Sequence, residues 1–317
     1  MGLGTRSPLD DDRLSRFVIL ILRWAFRYGG EISPAMATRA AVWLFTKPKR
    51  SAVFPGESQL SAQANSYFLT HRGYDLAIME WGRGPTVLCA HGWSSRGVRF
   101  KTLIERLVKS GYRVVAFDAP AHGLSSGSHT DVIDYADAIL AVAQKTGSVH
   151  AIVAHSFGAA ATLLALEKGL KIRRAVFFSA LNGMRGPIDY LAEKLGFSDQ
   201  IRESVKQSFE KKFQRSIESL EAVQIVPQLK TPPLLIVHDK YDPVLPFHNA
   251  LDLADVWKNS GLLTTHGIGH EAILDALTVM NRSSASSRLR EINSYFSPRI
   301  GFPGSAGFQP ASSPNLT

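Results

Sequence analysis

Short apolar runs alternate with amphipathic stretches through most of this 317-residue chain. The runs are rich in β-branched residues and are bounded by glycine, proline or aspartate, which is typical of buried strands. Between the later runs, residues 100–110 and 132–145 carry apolar side chains at helical spacing. The predicted strands are Tyr67–Thr70, Leu76–Trp81, Thr86–Ala90, Arg113–Phe117, Val149–Ala154, Ala175–Ser179, Leu234–His238 and Leu262–Thr265.

This alternation of strands and helices predicts an α/β protein with a mostly parallel sheet. Only His71–Asp75 separates the first two strands, so we expect an antiparallel hairpin there. Helices join the later strands, which implies right-handed parallel crossovers. Residues 183–228 interrupt the rhythm with a charged, helix-favouring stretch.

One junction between a strand and a helix has the sequence of a tight turn that exposes a serine. The apolar run Val149–Ala154 leads through His155-Ser156-Phe157-Gly158 into an alanine-rich helix, which matches G-x-S-x-G with alanine in the first place. In such a turn the strand and helix almost touch behind the serine, so the residues two before and two after it must be small. Ser156 is therefore a candidate nucleophile.

A serine nucleophile needs a base, and the base needs a carboxylate that orients it. Asp239 and Asp242 both follow the strand that ends at His238, and either can supply the carboxylate. Farther along, His270 lies on a glycine-rich loop and is the candidate base. His266 and His270 have the spacing of a helical zinc pair, but the glycines between them predict a loop, which argues against a metal site.

Two further turns complete a pattern that resembles the α/β-hydrolase family, in particular its esterase and lipase-like members. His91-Gly92 follows one strand, and Asp118-Ala-Pro-Ala-His-Gly follows the next. Together with the serine turn, an aspartate before Val-Leu-Pro and the Gly-His loop, they lie in the family's order within residues 65–297. The resemblance implies the α/β-hydrolase fold: an eight-stranded, mostly parallel sheet, helices on both faces and a small helical cap at residues 183–228.

The resemblance also implies a role for each candidate residue. Ser156 is the nucleophile, His270 the base and Asp242 the acid, because the family's acid stands just ahead of a segment like Val-Leu-Pro. The backbone N–H groups of Trp93 and Phe157 are expected to bind the oxyanion. Expected substrate contacts lie on the turns above the sheet or in the cap: His91, Trp93, Phe157, Phe209 and Phe213.

Asp118 and His122 are expected to have a different task, which is to hold the turn above the sheet. The implied function is hydrolysis of a carboxylic ester or thioester through an acyl-enzyme, with no cofactor and no metal. Acyl transfer, perhydrolysis and carbon–carbon bond hydrolysis on the same triad are alternatives, as is a hydrolase-like small-molecule receptor. The motifs leave these alternatives open, because one fold hosts many chemistries.

Charge and cysteine content give no indication of a disulfide-stabilised protein, a nucleic-acid-binding protein or an enzyme for anionic substrates. The single cysteine, Cys89, allows no internal disulfide, and its position within a strand predicts a small core residue. Of the net charge of +9, most belongs to residues 1–50, with nine Lys and Arg against four Asp and Glu, and to residues 281–317. Residues 51–280 are nearly neutral, so the basic pI does not indicate nucleic acid or an anionic substrate. We expect a cytoplasmic protein that acts on a small molecule.

Residues 1–50 are predicted to form a helical extension that precedes a hydrolase domain at residues 51–297. Within it, Leu14–Tyr28 is apolar on two sides, Gly29-Gly30 is expected to end this helix, and Ser33-Pro34 is expected to begin a second one. At the other end, residues 298–317 are rich in Pro, Gly and Ser and are predicted to be a disordered tail.

Two hypotheses account for the extension. Its longest apolar run, Phe17–Leu22, is far too short to span a bilayer, and the acidic residues 10–12 argue against a secretory signal. One hypothesis packs the helices as a hairpin on the hydrolase body. The other lays Leu14–Tyr28 in a membrane interface as a peripheral contact, with arginines against anionic headgroups. No candidate catalytic residue precedes His91, so we expect ester hydrolysis without the extension.

Overall fold

A computed structural model describes residues 8–53 and 56–275, with side chains from residue 17 onward. The predicted tail, residues 298–317, lies outside the described residues. The last part of the predicted hydrolase domain, residues 276–297, also lies outside them.

Eight strands form one sheet in the order β1-β2-β4-β3-β5-β6-β7-β8. Their bounds are β1 Asn65–His71, β2 Tyr74–Trp81, β3 Thr86–Ala90, β4 Arg113–Phe117, β5 Val149–His155, β6 Arg174–Phe178, β7 Leu234–Asp239 and β8 Ser260–Thr265. β2 pairs antiparallel with β1 and with β4, and the remaining pairs are parallel. The predicted fold class is confirmed, with each strand end within two residues of its predicted position.

Helices cover both faces of the sheet. In the described residues they are α1 Pro8–Ile32, α2 Pro34–Thr46, α3 Glu57–Ala62, α4 Lys101–Lys109, α5 Val132–Thr146, α6 Phe157–Glu167, α7 Arg185–Leu195, α8 Asp199–Phe213, α9 Ala222–Ile225 and α10 His248–Val256. At the start of α5, the side chain of Asp131 accepts hydrogen bonds from the N–H groups of Ile133 and Asp134, which satisfies two donors of the first turn.

The central strands are apolar throughout because both of their faces are covered. In the fully buried β3, Leu88 and Ala90 face the core that contains α5 and α6, whereas Val87 and Cys89 face the core that contains α4. Burial raises the pKa of the Cys89 thiol, so this cysteine is an unreactive core residue, as its position predicts.

The segment that interrupts the alternation, residues 183–228, is helical and contains α7, α8 and α9. Its buried residues Ile188, Ile201 and Val205 belong to the same core as α5 and α6. The segment therefore packs onto the helical layer on one face of the sheet.

The N-terminal helices α1 and α2 pack against this segment. Phe26 on α1 is buried with its ring centre 4.5 Å from that of Phe197. On α2, the ring centre of Phe45 lies 4.9 Å from that of Phe209. The extension thus contacts the body of the protein, as the first hypothesis requires. Across the described residues, no helix has both the length and the apolar character that spanning a bilayer requires.

The chain just after α2 is tied to the turns above the sheet by hydrogen bonds. The Arg50 guanidinium donates to the carbonyl groups of Ser125, at 2.9 Å, and Gly127, at 3.0 Å. Arg96 donates to the carbonyl group of Ser51 at 2.7 Å. These contacts fix where the extension meets the body.

The prediction that Gly29-Gly30 ends the first helix was wrong, because α1 continues to Ile32. A methyl group on Gly30 would lie 2.6 Å from Cδ1 of Ile201, so the glycine lets α1 approach α8 closely. Tertiary packing of this kind offsets the poor helix propensity of glycine. The second helix begins at Pro34, directly after Ser33, as expected.

Candidate active site

Ser156 occupies the turn between β5 and α6 in a backbone conformation that is strained for a residue with a side chain. Its φ is 51° and its ψ is −118°. Its N–H donates to the carbonyl of Phe178 at 3.0 Å, and its own carbonyl accepts from Ala159 at 2.9 Å and Leu181 at 3.3 Å. These hydrogen bonds hold the strained turn in place.

The small residues of the turn are required by close backbone approach. A methyl group on Gly158 would lie 2.3 Å from the carbonyl oxygen of Ala90 and 2.6 Å from that of His91. A methyl group on Gly92 would lie 2.8 Å from Nδ1 of His155 and 3.3 Å from Cβ of Ser156. The turn after β3 therefore lies against the serine turn, and neither position has room for a larger residue.

Asp242 and His270 form a hydrogen-bonded pair, with 2.8 Å between Oδ2 and Nδ1. The other carboxylate oxygen of Asp242 accepts from the N–H groups of Val244, at 2.8 Å, and Leu245, at 3.0 Å. Burial alone would raise the pKa of Asp242, but the hydrogen bonds from His270 and the two amides hold it well below its usual range. The ionised carboxylate accepts a hydrogen bond from Nδ1–H of His270, which leaves Nε2 of the imidazole as an acceptor.

Strand register explains why these two residues meet. β7 and β8 are adjacent and parallel, and Asp239 at the end of β7 pairs with Thr265 at the end of β8. Asp242 and His270 lie on the loops that follow these two strand ends. The pair is therefore assembled by the carboxyl edge of the sheet, the usual location of functional loops in α/β folds.

Asp239, the competing acid, has a different set of partners. Its carboxylate accepts from the Thr265 hydroxyl at 2.7 Å and from the N–H groups of Ile268, at 2.8 Å, and Gly267, at 3.1 Å. Burial opposes ionisation of Asp239, but these hydrogen bonds outweigh it and lower its pKa. Asp239 thus anchors the loop that carries His270 and makes no hydrogen bond to the imidazole.

His155 is a part of the site that the sequence analysis missed. It is buried beside Ser156, and its Nε2 lies 3.0 Å from the carbonyl oxygen of His270, to which it donates. Burial, together with the nearby His270, lowers the pKa of His155 to about 3, so the ring is neutral at physiological pH. Its position next to the serine was the available signal. His155 links the serine turn to the histidine loop.

The backbone N–H groups of Trp93 and Phe157, which are expected to bind an oxyanion, are available as hydrogen-bond donors. No described residue accepts a hydrogen bond from the N–H of Trp93 or of Phe157. Both residues line the same pocket as Ser156, and their ring centres lie 5.0 Å apart in an edge-on contact. Two free N–H groups beside a serine are the arrangement that stabilises a tetrahedral oxyanion.

A pocket of about 860 Å³ opens above Ser156 and Asp242. Its apolar wall comes from six parts of the chain: α2, the turns after β3 and β5, the segment after β6, α7 and the loop after β7. The apolar residues of this wall include Leu44, Phe45, Trp93, Phe157, Leu181, Leu191, Val244 and Leu245. The contribution of α2 to the pocket was not predicted from the sequence, because every candidate site residue lies at His91 or later.

Three expected substrate contacts lie elsewhere. His91 is fully buried, with Nε2 accepting from the N–H of Ala119 at 2.9 Å and Nδ1 donating to the carbonyl of Gly92 at 2.7 Å. Phe209 and Phe213 stack on each other with ring centres 5.5 Å apart and do not line the pocket. His91 therefore supports a turn, and the two phenylalanines pack the cap.

Asp118 and His122 hold the turn above the sheet, as expected. The Asp118 carboxylate accepts from the N–H groups of Gly97 and Leu124, each at 2.8 Å. Nε2 of His122 accepts from the N–H of Ser94 at 3.0 Å. Burial is the main cause that lowers the pKa of His122 to about 3, which keeps this acceptor nitrogen unprotonated.

Among the described residues, His155, His270 and Glu271 bring possible metal-ligand atoms within 4.8 Å of one another. One ring nitrogen of each histidine already donates a hydrogen bond, and Glu271 faces Arg99 at 3.4 Å. A cation bound there would occupy the His270 nitrogen that a general base needs. The cluster therefore offers no role for a metal in base catalysis by His270.

Comparison with known proteins agrees with this architecture. The model of a family described as the alpha/beta hydrolase family matches residues 87–270, from β3 to the histidine of the pair. This span is more than half of the chain and includes the serine turn. The chain therefore belongs to the alpha/beta hydrolase family.

Relatives within this family have varied reactions. The chain is 33% identical over 120 residues to 2-(acetamidomethylene)succinate hydrolase of Mesorhizobium japonicum, covering 36% of this chain and 43% of that protein. It is 32% identical over 123 residues to a bifunctional esterase/perhydrolase of Acinetobacter calcoaceticus, covering 36% and 44%. The chain thus spans less than half the length of these curated relatives.

Among solved structures, an esterase of Exiguobacterium antarcticum superimposes with a TM-score of 0.54 and 22% identity. The match covers 74% of this chain and 97% of the esterase. At this level of identity the match supports the fold alone.

Proposed function

We propose that this protein is a serine hydrolase that cleaves carboxylic esters or thioesters through an acyl-enzyme. The observation that carries the proposal is the Asp242–His270 pair, at 2.8 Å, on the same edge of the sheet as the strained Ser156. Ser156 is the nucleophile, His270 the general base and Asp242 the residue that orients it.

In the first half of the reaction, Oγ of Ser156 attacks the substrate carbonyl carbon while Nε2 of His270 takes the hydroxyl proton. The N–H groups of Trp93 and Phe157 stabilise the negative charge on the carbonyl oxygen. As the tetrahedral intermediate collapses, the alcohol or thiol leaves with the proton from His270. In the second half, water attacks the acyl-enzyme and gives a proton to His270. As this second tetrahedral intermediate collapses, His270 returns the proton to Oγ of Ser156 and the acid is released.

Asp242 supports this cycle in two ways. Its hydrogen bond fixes the imidazole with the proton on Nδ1, so that Nε2 faces the serine. Because its pKa is held low, the carboxylate remains ionised and stabilises the imidazolium that forms in each half-reaction. No metal or cofactor takes part in any proposed step.

The pocket supports a substrate with an apolar acyl or alcohol group. Its wall above Ser156 combines Phe45, Leu181 and Leu191 with the backbone N–H donors. Such a site binds an uncharged chain by apolar contact and orients its carbonyl by a few hydrogen bonds. p-Nitrophenyl esters of graded acyl length are therefore suitable first substrates.

The test compares the protein with a Ser156→Ala variant. A fluorophosphonate probe should label the protein at Ser156, and the variant should lose both this labelling and at least about 10³-fold in kcat. Ser208 on α8, which does not line the pocket, provides the matched control. The Ser208→Ala variant should retain both labelling and rate. Persistent labelling of the Ser156→Ala chain would move the nucleophile elsewhere.

A further inference from the structure

Helix α1 has two apolar faces on opposite sides. One face turns toward the body: Ile19, Leu22, Phe26 and Gly30 follow helical spacing, and all are buried or half-buried. Leu22 and Phe26 join the core. This face accounts for the attachment of the extension to the cap.

The opposite face of α1 carries large apolar side chains that are about half or more exposed. They recur at i, i+3, i+4, i+7 and i+11, which places them along one side of the helix. Their exposed fractions are Phe17 61%, Leu20 63%, Ile21 50%, Trp24 66% and Tyr28 46%. On α2, Met36 and Trp43 are also exposed, at 68% and 47%. We call the five α1 residues the outer apolar face.

Positive charge borders the outer apolar face. Arg23 and Arg27 lie one turn apart along α1, and Arg39 lies on α2 between Met36 and Trp43. None of these three arginines forms a salt bridge with a described residue. Asp10, Asp11 and Asp12 lie near the start of α1, ahead of the exposed apolar residues, and from residue 17 to residue 46 Glu31 is the one acidic residue. The surface is therefore both apolar and cationic.

We propose that α1 docks this outer apolar face on a membrane surface that contains anionic lipid. The helix would lie in the plane of the interface, with apolar side chains among the upper acyl chains and arginines at the headgroup phosphates. Trp24 and Tyr28 are the amphipathic aromatic side chains that favour this zone.

Charge complementarity favours lipid over a second copy of this chain. Pairing two copies through the outer apolar face would bring Arg23 and Arg27 of both copies together, which is unfavourable. An anionic bilayer supplies the opposite charge across the whole surface. The proposal does not depend on the hydrolase chemistry, because binding is measured without turnover.

The first experiment measures co-sedimentation of the full chain with vesicles of phosphatidylcholine alone or with about 30% phosphatidylglycerol, an anionic content that creates a negative surface potential. We expect preferential binding to the anionic vesicles. The variant Leu20→Ser/Trp24→Ser should bind at least about tenfold more weakly. Phe68→Ser, which changes a 63% exposed phenylalanine on β1, should bind as the unmodified chain does.

The second experiment tests the charge. Arg23→Gln/Arg27→Gln should weaken binding to the anionic vesicles by about tenfold or more and leave the weak binding to neutral vesicles unchanged. Lys109→Gln/Lys145→Gln removes the same charge from exposed positions on α4 and α5 and should have a much smaller effect. Added salt should reduce binding of the unmodified chain through screening.

Several outcomes would overturn the proposal. They are equal sedimentation with both vesicle types, no sedimentation at all, or equal losses in the variants and their controls. A concentration-dependent dimer in analytical ultracentrifugation that Leu20→Ser/Trp24→Ser dissociates would assign the face to self-association instead. Thermal melts verify that each variant folds. Because Ser156→Ala should bind vesicles normally, failure of the hydrolase proposal and failure of this one are distinguishable.

Discussion

At the carboxyl ends of β5, β7 and β8, the candidate catalytic residues are held by hydrogen bonds among buried groups, whereas α1 and α2 are held mainly by apolar contacts. The carboxylate of Asp242, for example, accepts three hydrogen bonds, from His270, Val244 and Leu245. On α1, the clearest contact is the packing of two aromatic rings, Phe26 and Phe197.

The two kinds of contact respond differently to substitution. A hydrogen bond specifies particular atoms, so a change of one atom in the catalytic network should alter the rate before it alters the fold. Apolar packing tolerates changes of residue as long as volume is kept. Variants of the extension should therefore alter stability, substrate range or surface binding more than the chemical step.

The largest expected effect distinguishes the two aspartates of the network. Asp242→Asn should lower kcat by about 10⁴-fold with a small change in melting temperature, because an amide favours the wrong tautomer of His270. Asp239→Asn should lower the melting temperature more and kcat much less, because Asp239 anchors the loop through Thr265, Gly267 and Ile268. The rates are measured with p-nitrophenyl butyrate. A reversed ranking of the two rates would identify Asp239 as the acid.

A smaller loss of rate is expected from His155→Ala. The substitution removes the donor to the carbonyl of His270, so the histidine loop should lose its fixed position relative to Ser156. We expect kcat/KM to fall by about 10- to 100-fold. His150→Ala, at the other end of β5, is the control and should leave kcat/KM near that of the unmodified protein. Equal effects of the two substitutions would rule out a positioning role for His155.

Stability should depend on pH through histidines that are buried near the site. Burial, with smaller contributions from neighbouring positive groups, lowers the pKa of His91 to about 4 and that of His155 to about 3. Histidines in the unfolded state have a pKa of about 6.5, so below that pH the unfolded state binds protons that the folded state does not. Each such proton lowers the free energy of unfolding by about 1.4 kcal/mol per pH unit.

Acidification from pH 6.5 toward pH 4 should therefore reduce the urea midpoint. Asp242 acts in the same direction at lower pH. Its pKa is lower in the folded state than in the unfolded state, so its ionised carboxylate stabilises the folded state, and this stabilisation is lost as the carboxylate protonates. Urea titrations at pH 7, 6 and 5 measure the effect. A midpoint that stays constant across this range would contradict the assignment of neutral, buried histidines.

The smallest expected effect lies where the extension meets the pocket. Phe45→Ala removes part of the pocket wall and a ring contact with Phe209, so kcat/KM for longer acyl chains should fall by up to about tenfold. The neighbouring Trp43→Ala alters an exposed side chain on the same helix and should leave hydrolysis unchanged. If Phe45→Ala affects all acyl lengths equally, α2 contributes no substrate specificity.

Local sequence patterns predicted the sheet well because buried strands leave a short, unambiguous apolar signature. They also predicted the strained turn at Ser156, where the need for small residues is itself local. The choice of Asp242 over Asp239 depended on family resemblance, since no periodicity reveals which loop residue faces His270. The structure supports that choice by giving Asp239 other hydrogen-bond partners.

The parts that were not predicted depend on contacts between distant segments. Gly30 was expected to end a helix, but its closeness to Ile201 is a property of two helices that are far apart in sequence. Similarly, Phe209 was expected in the pocket, and Phe45, from the extension, lines it instead. Which apolar residue of a helix meets a cavity depends on how that helix is rotated and placed, which its own sequence does not specify.

The pairing of Asp239 with Thr265 has a practical consequence for redesign of this protein. Because the separation of the acid and base loops follows from two neighbouring strands, it does not depend on α2 or α7, which wall the pocket. Those helices can be exchanged for segments from other proteins of the same architecture while the hydrogen-bonded pair of Asp242 and His270 keeps its geometry. The helices that wall the pocket are thus suited to recombination, whereas the strands and loops that position Asp242 and His270 are best left unchanged.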